Sequence, residues 1–193
     1  MTHDGDRAPV FAFRHLARSD YALLGRWLIE PHVVRWWNHD PSPAAIERDF
    51  GASIDGDDPA DVYIVDHEAK PLGLLQRYRF ADNPSYVEEL APLLAVPGTA
   101  LSIDYFVGEP TALRRGLGSA MIAAAVAAIW RDHAGAPSIV VPVSAANQAS
   151  RRALERAGFR RVAVGRLEPD NPIDAWDHFV YRIDRPHAAA QKP

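Results

Sequence analysis

One aspartate carries the first chemical suggestion in this chain. Asp104 interrupts "ALSIDYFVG" (100–108), a run otherwise composed like a buried strand. Strand alternation puts Ser102, Asp104 and Phe106 on one face and Ile103, Tyr105 and Val107 on the other. An aspartate so placed either lines a cleft or bonds to a neighbouring loop. In a cleft it would bind and orient a cation. It would relay a proton only if its own pKa were raised, because a carboxyl at about 3.9 is a poor base for an ammonium at about 10.

A second stretch, "LRRGLGSAMIAAAVAAIW" (Leu113–Trp130), begins like an anion site. Gly116 and Gly118 let the backbone approach a ligand closely. A helix starting there offers free N–H groups and its positive dipole end. Arg114 and Arg115 add charge-assisted donors. A pyrophosphate suits these features; so does a plain strand-to-helix turn with two solvated arginines. Neither common nucleotide fingerprint is present: no Gly-Lys-Ser/Thr follows, and Met121 stands where a third glycine belongs. A third stretch, "NQASRRALERAGF" (Asn147–Phe159), reads as a short amphipathic helix, with Asn147 as N-cap and Gly158 at the left-handed exit.

Other side chains are weaker candidates for ligand contact. Adjacent Trp36 and Trp37 follow the first helix, where one is expected inside and one outside; tryptophan faces suit sugar rings and cations. Glu88 and Glu89 lie in the long stretch "ADNPSYVEELAPLLAVPG" with Asp82 and Tyr86, and Asp174 and Asp177 precede the last strand. Acidic loop residues suit a polycationic amine, and are equally common surface decoration. The eight histidines are scattered without a His-x-x-x-His pair, so no metal is expected. No Gly-x-Ser-x-Gly elbow supports hydrolase chemistry.

The elements that must position these groups follow from periodicity. "VFAFRHL" reads as a strand and "YALLGRWLIE" as a helix ended or bent by Pro31. Ser42 and Pro43 begin a second helix over Ala44 to about Ser53. "DVYIVD" and "LGLLQRYRF" form a hairpin across "HEAKP". Then come the Asp104 strand, the glycine loop and its helix, the strand "SIVVPVS", the Asn147 helix, and the late strands "RRVAVGRL" and "DAWDHFVYRI". Sequential strands suggest antiparallel pairing, and the central strand–helix–strand unit requires one parallel crossover, expected to be right-handed. The expected class is therefore α/β, a mixed, mostly antiparallel sheet flanked by helices.

With 193 residues, one domain is expected over 11–184, with a disordered lead-in over 1–10 and a tail over 185–193. A net charge of −4 is only a weak argument against a nucleic-acid partner, since a local basic patch is compatible with it, and no such partner is expected. The absence of cysteine excludes a disulfide scaffold and a cysteine nucleophile. The most apolar run, Leu117–Trp130, is too short for a bilayer span, and the N-terminus lacks signal-peptide regions, so a cytoplasmic protein without a membrane partner is expected.

Taken together, the motifs resemble the GCN5-related N-acetyltransferase superfamily. "IDYFVGEP…RRGLGS" (Ile103–Ser119) is similar to the segment "IDQFIGEP…KGIGT" of the aminoglycoside 6′-N-acetyltransferases. Weaker matches in order are "WLIEPHVVRWW", "GLLQRY" and "RALERAGF" with a final "FVYRI". The resemblance covers about residues 11–184. It implies the acyl-CoA N-acyltransferase fold, with fourth and fifth strands splayed, and acetyl-CoA as cosubstrate. It implies that the pyrophosphate sits on Arg114, Arg115, Gly116, Leu117, Gly118 and Ser119, that Phe106 and Val107 meet the pantetheine arm and thioester, and that Asn147 lies beside that arm. Trp36, Trp37, Tyr78, Glu88, Glu89 and Asp104 are then expected to meet an amine substrate, with Asp104 catalytic, in a monomer or homodimer. Three positions depart from the pattern. Leu113 stands where Gln or Arg usually precedes the glycines. Leu154 replaces a tyrosine proposed as general acid toward the CoA thiolate. "VVPVSAAN" has Pro142 but lacks the aspartate of an Asp-Pro pair. The resemblance favours the 6′-amine of an aminoglycoside as acceptor; the alternatives are a metabolite amine, a siderophore lysine or a protein N-terminus, or a non-catalytic acyl-CoA-binding role.

Overall fold

A computed structural model describes residues 10–169 and 171–186. The expected lead-in and tail fall mostly outside these residues. Seven strands form one sheet: β1 (Phe11–His15), β2 (Asp61–His67), β3 (Lys70–Arg79), β4 (Leu101–Val107), β5 (Ser138–Ser144), β6 (Arg160–Arg166) and β7 (Asp177–Asp184), in the order β1-β2-β3-β4-β5-β7-β6. Every neighbouring pair is antiparallel except β4 and β5. That parallel pair is joined only through Leu101 and Ile139. Beyond that point the strands diverge, and the fork opens at the level of Asp104.

Helices cover both faces. On one side lie α1 (Tyr21–Leu28), α2 (Pro31–Trp37) and α3 (Pro43–Asp55), and α4 (Pro84–Leu90) follows β3. On the other lie α5 (Leu117–Asp132) and α6 (Gln148–Arg156). The central strands β2, β3, β4 and β5 are apolar on both faces, as a covered sheet requires. In β2, Val62 and Ile64 pack with α1 and α3, while Tyr63 and Val65 join the α5 core. β4 divides as alternation predicts: Phe106 packs with Trp27 and Leu28, and Ile103, Tyr105 and Val107 belong to the α5–α6 core.

Local signals set the helix ends. The Ser42 hydroxyl accepts from Ala45 N at 3.3 Å, Pro43 occupies the first turn of α3, and Gly56 ends it at φ +81°. Two elements differ from expectation. Pro31 does not merely stop α1: it occupies the first turn of α2, where its missing N–H costs nothing, and so Trp36 and Trp37 lie on a helix. The central stretch taken as a loop contains α4, again opened by proline, at Pro84. Arg185, which falls in the expected tail, is anchored: its guanidinium donates to the carbonyls of Trp130 in the last turn of α5 and of His133 and Ala136 just beyond it, and stacks on the Trp130 ring.

Candidate active site

A cleft of about 520 Å³ opens at the β4–β5 fork. Its floor includes Gln76 of β3, Asp104 and Tyr105 of β4, and Val141–Ser144 of β5. Asp104 and Gln76 are register partners on adjacent strands. One wall is aromatic: Trp36, Trp37 and His39 at the end of α2, Phe50 of α3 and Tyr86 of α4. Asn147, Ser150 and His178 complete the other side, and the β6–β7 loop adds Asn171 and Asp174.

The lining is acidic. Among the described residues it contains Asp49, Asp58, Asp104 and Asp174 and no lysine or arginine. Two of these carboxylates already hold cations. Asp174 takes both ends of the Arg35 guanidinium at 2.5 and 2.9 Å, which pushes that guanidinium above its ordinary value. Asp49 meets His39 Nδ1 at 2.9 Å and Arg48 Nε at 2.9 Å. Burial pushes the Asp49 carboxyl up, but these bonds outweigh it and hold the group below its usual range.

The Arg35–Asp174 fork ties the β6–β7 loop to α2, and Asn171 Nδ2 adds a bond to Arg35 O at 3.2 Å. Replacing Asp174 with alanine is expected to release that wall. Amide exchange over 171–176 should accelerate at least about tenfold while β5 is unaffected; unchanged exchange would show that the loop is held by other contacts.

Behind the cleft, one indole connects its wall to the glycine loop. Trp27 of α1 donates from Nε1 to Glu109 Oε1 at 3.0 Å, and its ring faces Gly108 so closely that a Cβ there would lie 2.2 Å from Cδ2. Phe106 packs edge-on against Trp27 and against Trp37. The end of β4 is fixed as well: His32 Nε2 donates to Val107 O at 2.8 Å. Gly73 opposite Val107 brings β3 so near that a Cβ would lie 2.1 Å from Phe106 O.

The glycine loop has an anion cradle's geometry. Arg114 (φ +61°) and Gly116 (φ +78°) turn the chain, and Gly116 caps α5. Ala120 N bonds to Gly116 O at 3.1 Å, so the amides of Leu117, Gly118 and Ser119 precede the first intrahelical bond. Arg114 and Arg115 are exposed and have no partner among the described residues. The Ser119 hydroxyl donates to Gly116 O at 2.9 Å and so is committed to the loop itself, and its amide is the group that faces a ligand in the cradle.

The acetyltransferase (GNAT) domain family matches residues 17–167. The chain belongs to the GNAT acetyltransferases. Aminoglycoside N(6′)-acetyltransferase type 1 of Klebsiella pneumoniae is 27% identical over 163 residues, covering 82% of this chain and 78% of that protein. Among solved structures, aminoglycoside acetyltransferase AAC(6′)-Ib in complex with coenzyme A superimposes with a TM-score of 0.77 at 24% identity, covering 91% of this chain and 95% of that one. A Vibrio cholerae spermidine N-acetyltransferase SpeG chimera has a TM-score of 0.66 at 16% identity, with 90% and 95% coverage. Those two structures share the fold.

In this acetyltransferase the fold brings Trp36, Trp37, Asp104 and Asn147 to one cleft. Three expected substrate contacts lie elsewhere. Tyr78 is buried against Phe80 and Tyr86. Glu88 is exposed on α4 and absent from the cleft lining, and Glu89 accepts from Glu168 N at 3.0 Å. α4 explains the change: as a helix it presents Tyr86 to the cleft and turns the two glutamates away. Asp177 also lies outside the lining.

Three pairings at or behind the cleft are not legible in the sequence, although Asp174 itself is among its acidic candidates. His39–Asp49, Tyr105–Ser150 and Arg35–Asp174 pair across 10, 45 and 139 positions, separations on which no local periodicity reports. His178 lines the cleft with its Nδ1 donating to Trp176 O at 2.8 Å. Among the described residues no cluster of three His, Cys, Asp or Glu could hold a metal, and no helix is long and apolar enough to cross a membrane.

Proposed function

We propose that this GNAT N-acetyltransferase transfers acetyl from acetyl-CoA to a primary amine of a polycationic, ring-bearing substrate, the 6′-amine of an aminoglycoside. The observation that carries the acceptor class is the cleft itself, whose described lining combines the carboxylates of Asp49, Asp58, Asp104 and Asp174 with the rings of Trp36, Trp37, Phe50 and Tyr86. Carboxylates attract and orient ammonium groups, and tryptophan faces receive sugar rings. The similarity to the Klebsiella aminoglycoside enzyme points the same way.

The cosubstrate assignment rests on the loop. The amides of Leu117, Gly118 and Ser119 and the guanidinium groups of Arg114 and Arg115 would hold the pyrophosphate. The arm would enter the β4–β5 fork along Val107, next to Gly118. Backbone at Phe106 and Val107 would then face the thioester, where an N–H can stabilise developing oxyanion charge. Asp104 binds the ammonium and, with water, accepts the proton it must lose before nitrogen attacks.

Purified protein should release thiol from acetyl-CoA with kanamycin-type compounds and not with their 6′-hydroxyl analogues. Turnover confined to other amines would reassign the acceptor, and CoA binding without thiol release from any amine would leave a binding module. The cradle has its own test. A Cβ at Gly118 meets only Val107 Cγ2, at 3.6 Å, so the protein has room for it. Gly118→Ala should leave stability unchanged and weaken CoA binding, and Gly118→Asp should weaken it at least about tenfold more by repelling phosphate; CoA affinity indifferent to both would refute the cradle.

A further inference from the structure

A thiolate leaving into a partly desolvated cleft is stabilised by a hydrogen-bond donor at sulfur. Leu154, fully buried in the core, supplies none. One turn earlier on the same helix stands Ser150, whose Oγ lies 2.8 Å from the Tyr105 hydroxyl. Tyr105 is on the face of β4 that packs toward α5 and α6. It lies between Asp104 of the cleft and Val107 beside Gly118. Both hydroxyl residues line the cleft at the fork, and Asn147 fixes the turn that carries Ser150 by accepting from its N at 3.1 Å.

We propose that the Ser150–Tyr105 hydroxyl pair donates the hydrogen bond that stabilises the sulfur of CoA as it departs, taking over a task that Leu154 cannot perform. The inference rests on the acetyl-CoA reading given above. Tyr105 donates to Ser150 Oγ, which frees the serine proton to point at sulfur. Burial pushes the Tyr105 phenol far above its ordinary value, so it keeps its proton at every working pH and acts as a donor rather than a proton source. In the step itself the amine nitrogen bonds to the carbonyl carbon. The carbon–sulfur bond breaks with its electron pair on sulfur. The proton shed by the amine reaches sulfur through water, and neither hydroxyl changes protonation over a turnover.

The chain has no cysteine, so thioether formation on CoA by iodoacetamide in its complex with the protein is read without competition from protein thiols. The pH midpoint of that reaction is expected about one unit below that of free CoA, a thiolate favoured about tenfold. Ser150→Ala and Tyr105→Phe should each return the midpoint to that of free CoA, leave CoA affinity within about threefold, and lower kcat by roughly 10- to 100-fold. Ser150→Thr should retain the shifted midpoint. A wild-type midpoint equal to that of free CoA, a midpoint unmoved by both substitutions, or loss of CoA affinity in parallel with kcat would overturn the proposal. The thiol measurement needs no acceptor, so failure to acetylate any aminoglycoside would leave it standing. Failure of the wild-type protein to bind CoA would overturn both the cosubstrate reading and the proposal.

Discussion

Asp104→Asn is expected to lower kcat/KM for the amine by about 100-fold or more, while acetyl-CoA affinity stays within about threefold. Asparagine keeps the shape and the hydrogen-bonding reach of the side chain, so the half-buried position on β4 and its pairing with β3 survive. What disappears is the charge. Two of the other three lining carboxylates are committed, Asp49 to His39 and Arg48 and Asp174 to Arg35. Asp58 accepts from Ala60 N at 2.7 Å. None of them stands on β4 at the opening of the fork, where the thioester is proposed to lie. Loss of the Asp104 charge therefore removes the ammonium's anchor at the point of attack and the first station for its proton. If the ammonium pKa controls the reaction, raising the pH should recover part of the lost rate, because more of the amine is then already neutral. A variant that matches the wild type at neutral pH would exclude Asp104 from the reaction, and equal losses of amine turnover and CoA affinity would assign it to architecture.

The sequence makes the sheet legible because its signals are local. Alternation assigns the faces of β4 correctly, Ser42-Pro43 marks the start of α3, and Gly158 (φ +97°) takes the left-handed exit expected after α6. The two helices that were missed, α2 and α4, are seven residues each and begin at proline. The same residue reads as a stop after α1 and as turn punctuation in the central stretch, although it fits the first turn of a helix equally well. Among the proposed site residues, Asp104, Gly116 and Gly118 stand out in the sequence because their types are improbable for a plain strand or helix. The cleft partners do not. His39–Asp49, Tyr105–Ser150 and Arg35–Asp174 exist only once the sheet has closed, and each residue alone is an ordinary surface or core choice. Glu88 and Glu89 show the opposite limit: charge alone suggests them for a cationic ligand, and the helical phase of α4 keeps them out of the cleft lining.

Gly108→Ala is expected to destabilise the protein by about 1–3 kcal/mol and to weaken CoA binding with it. The cause is steric and specific. Gly108 does not occupy the left-handed region, so alanine meets no backbone strain there. Its methyl group would lie 2.2, 2.4 and 2.5 Å from Cδ2, Cγ and Cε2 of Trp27. These are atoms of a rigid ring, only 2% exposed, held by Glu109 through its indole nitrogen and packed edge-on against Phe106. The ring cannot slide without releasing Glu109, and the turn cannot lift without pulling on the backbone that leads into Pro110 and the glycine loop. Gly108 N and Glu109 N both bond to Leu72 O, at 2.8 and 3.2 Å, so the displacement also strains the junction with β3. The mechanism predicts non-additivity. In a Trp27→Leu background, itself destabilised by the cavity, adding Gly108→Ala should cost much less, giving a coupling of about 1 kcal/mol or more in a double-mutant cycle by denaturant unfolding. Additive costs would mean that the methyl is accommodated elsewhere and that the indole does not set the height of the turn. With coupling, CoA affinity in the double variant should recover relative to Gly108→Ala alone, because relief of the clash lets the loop return over the start of α5.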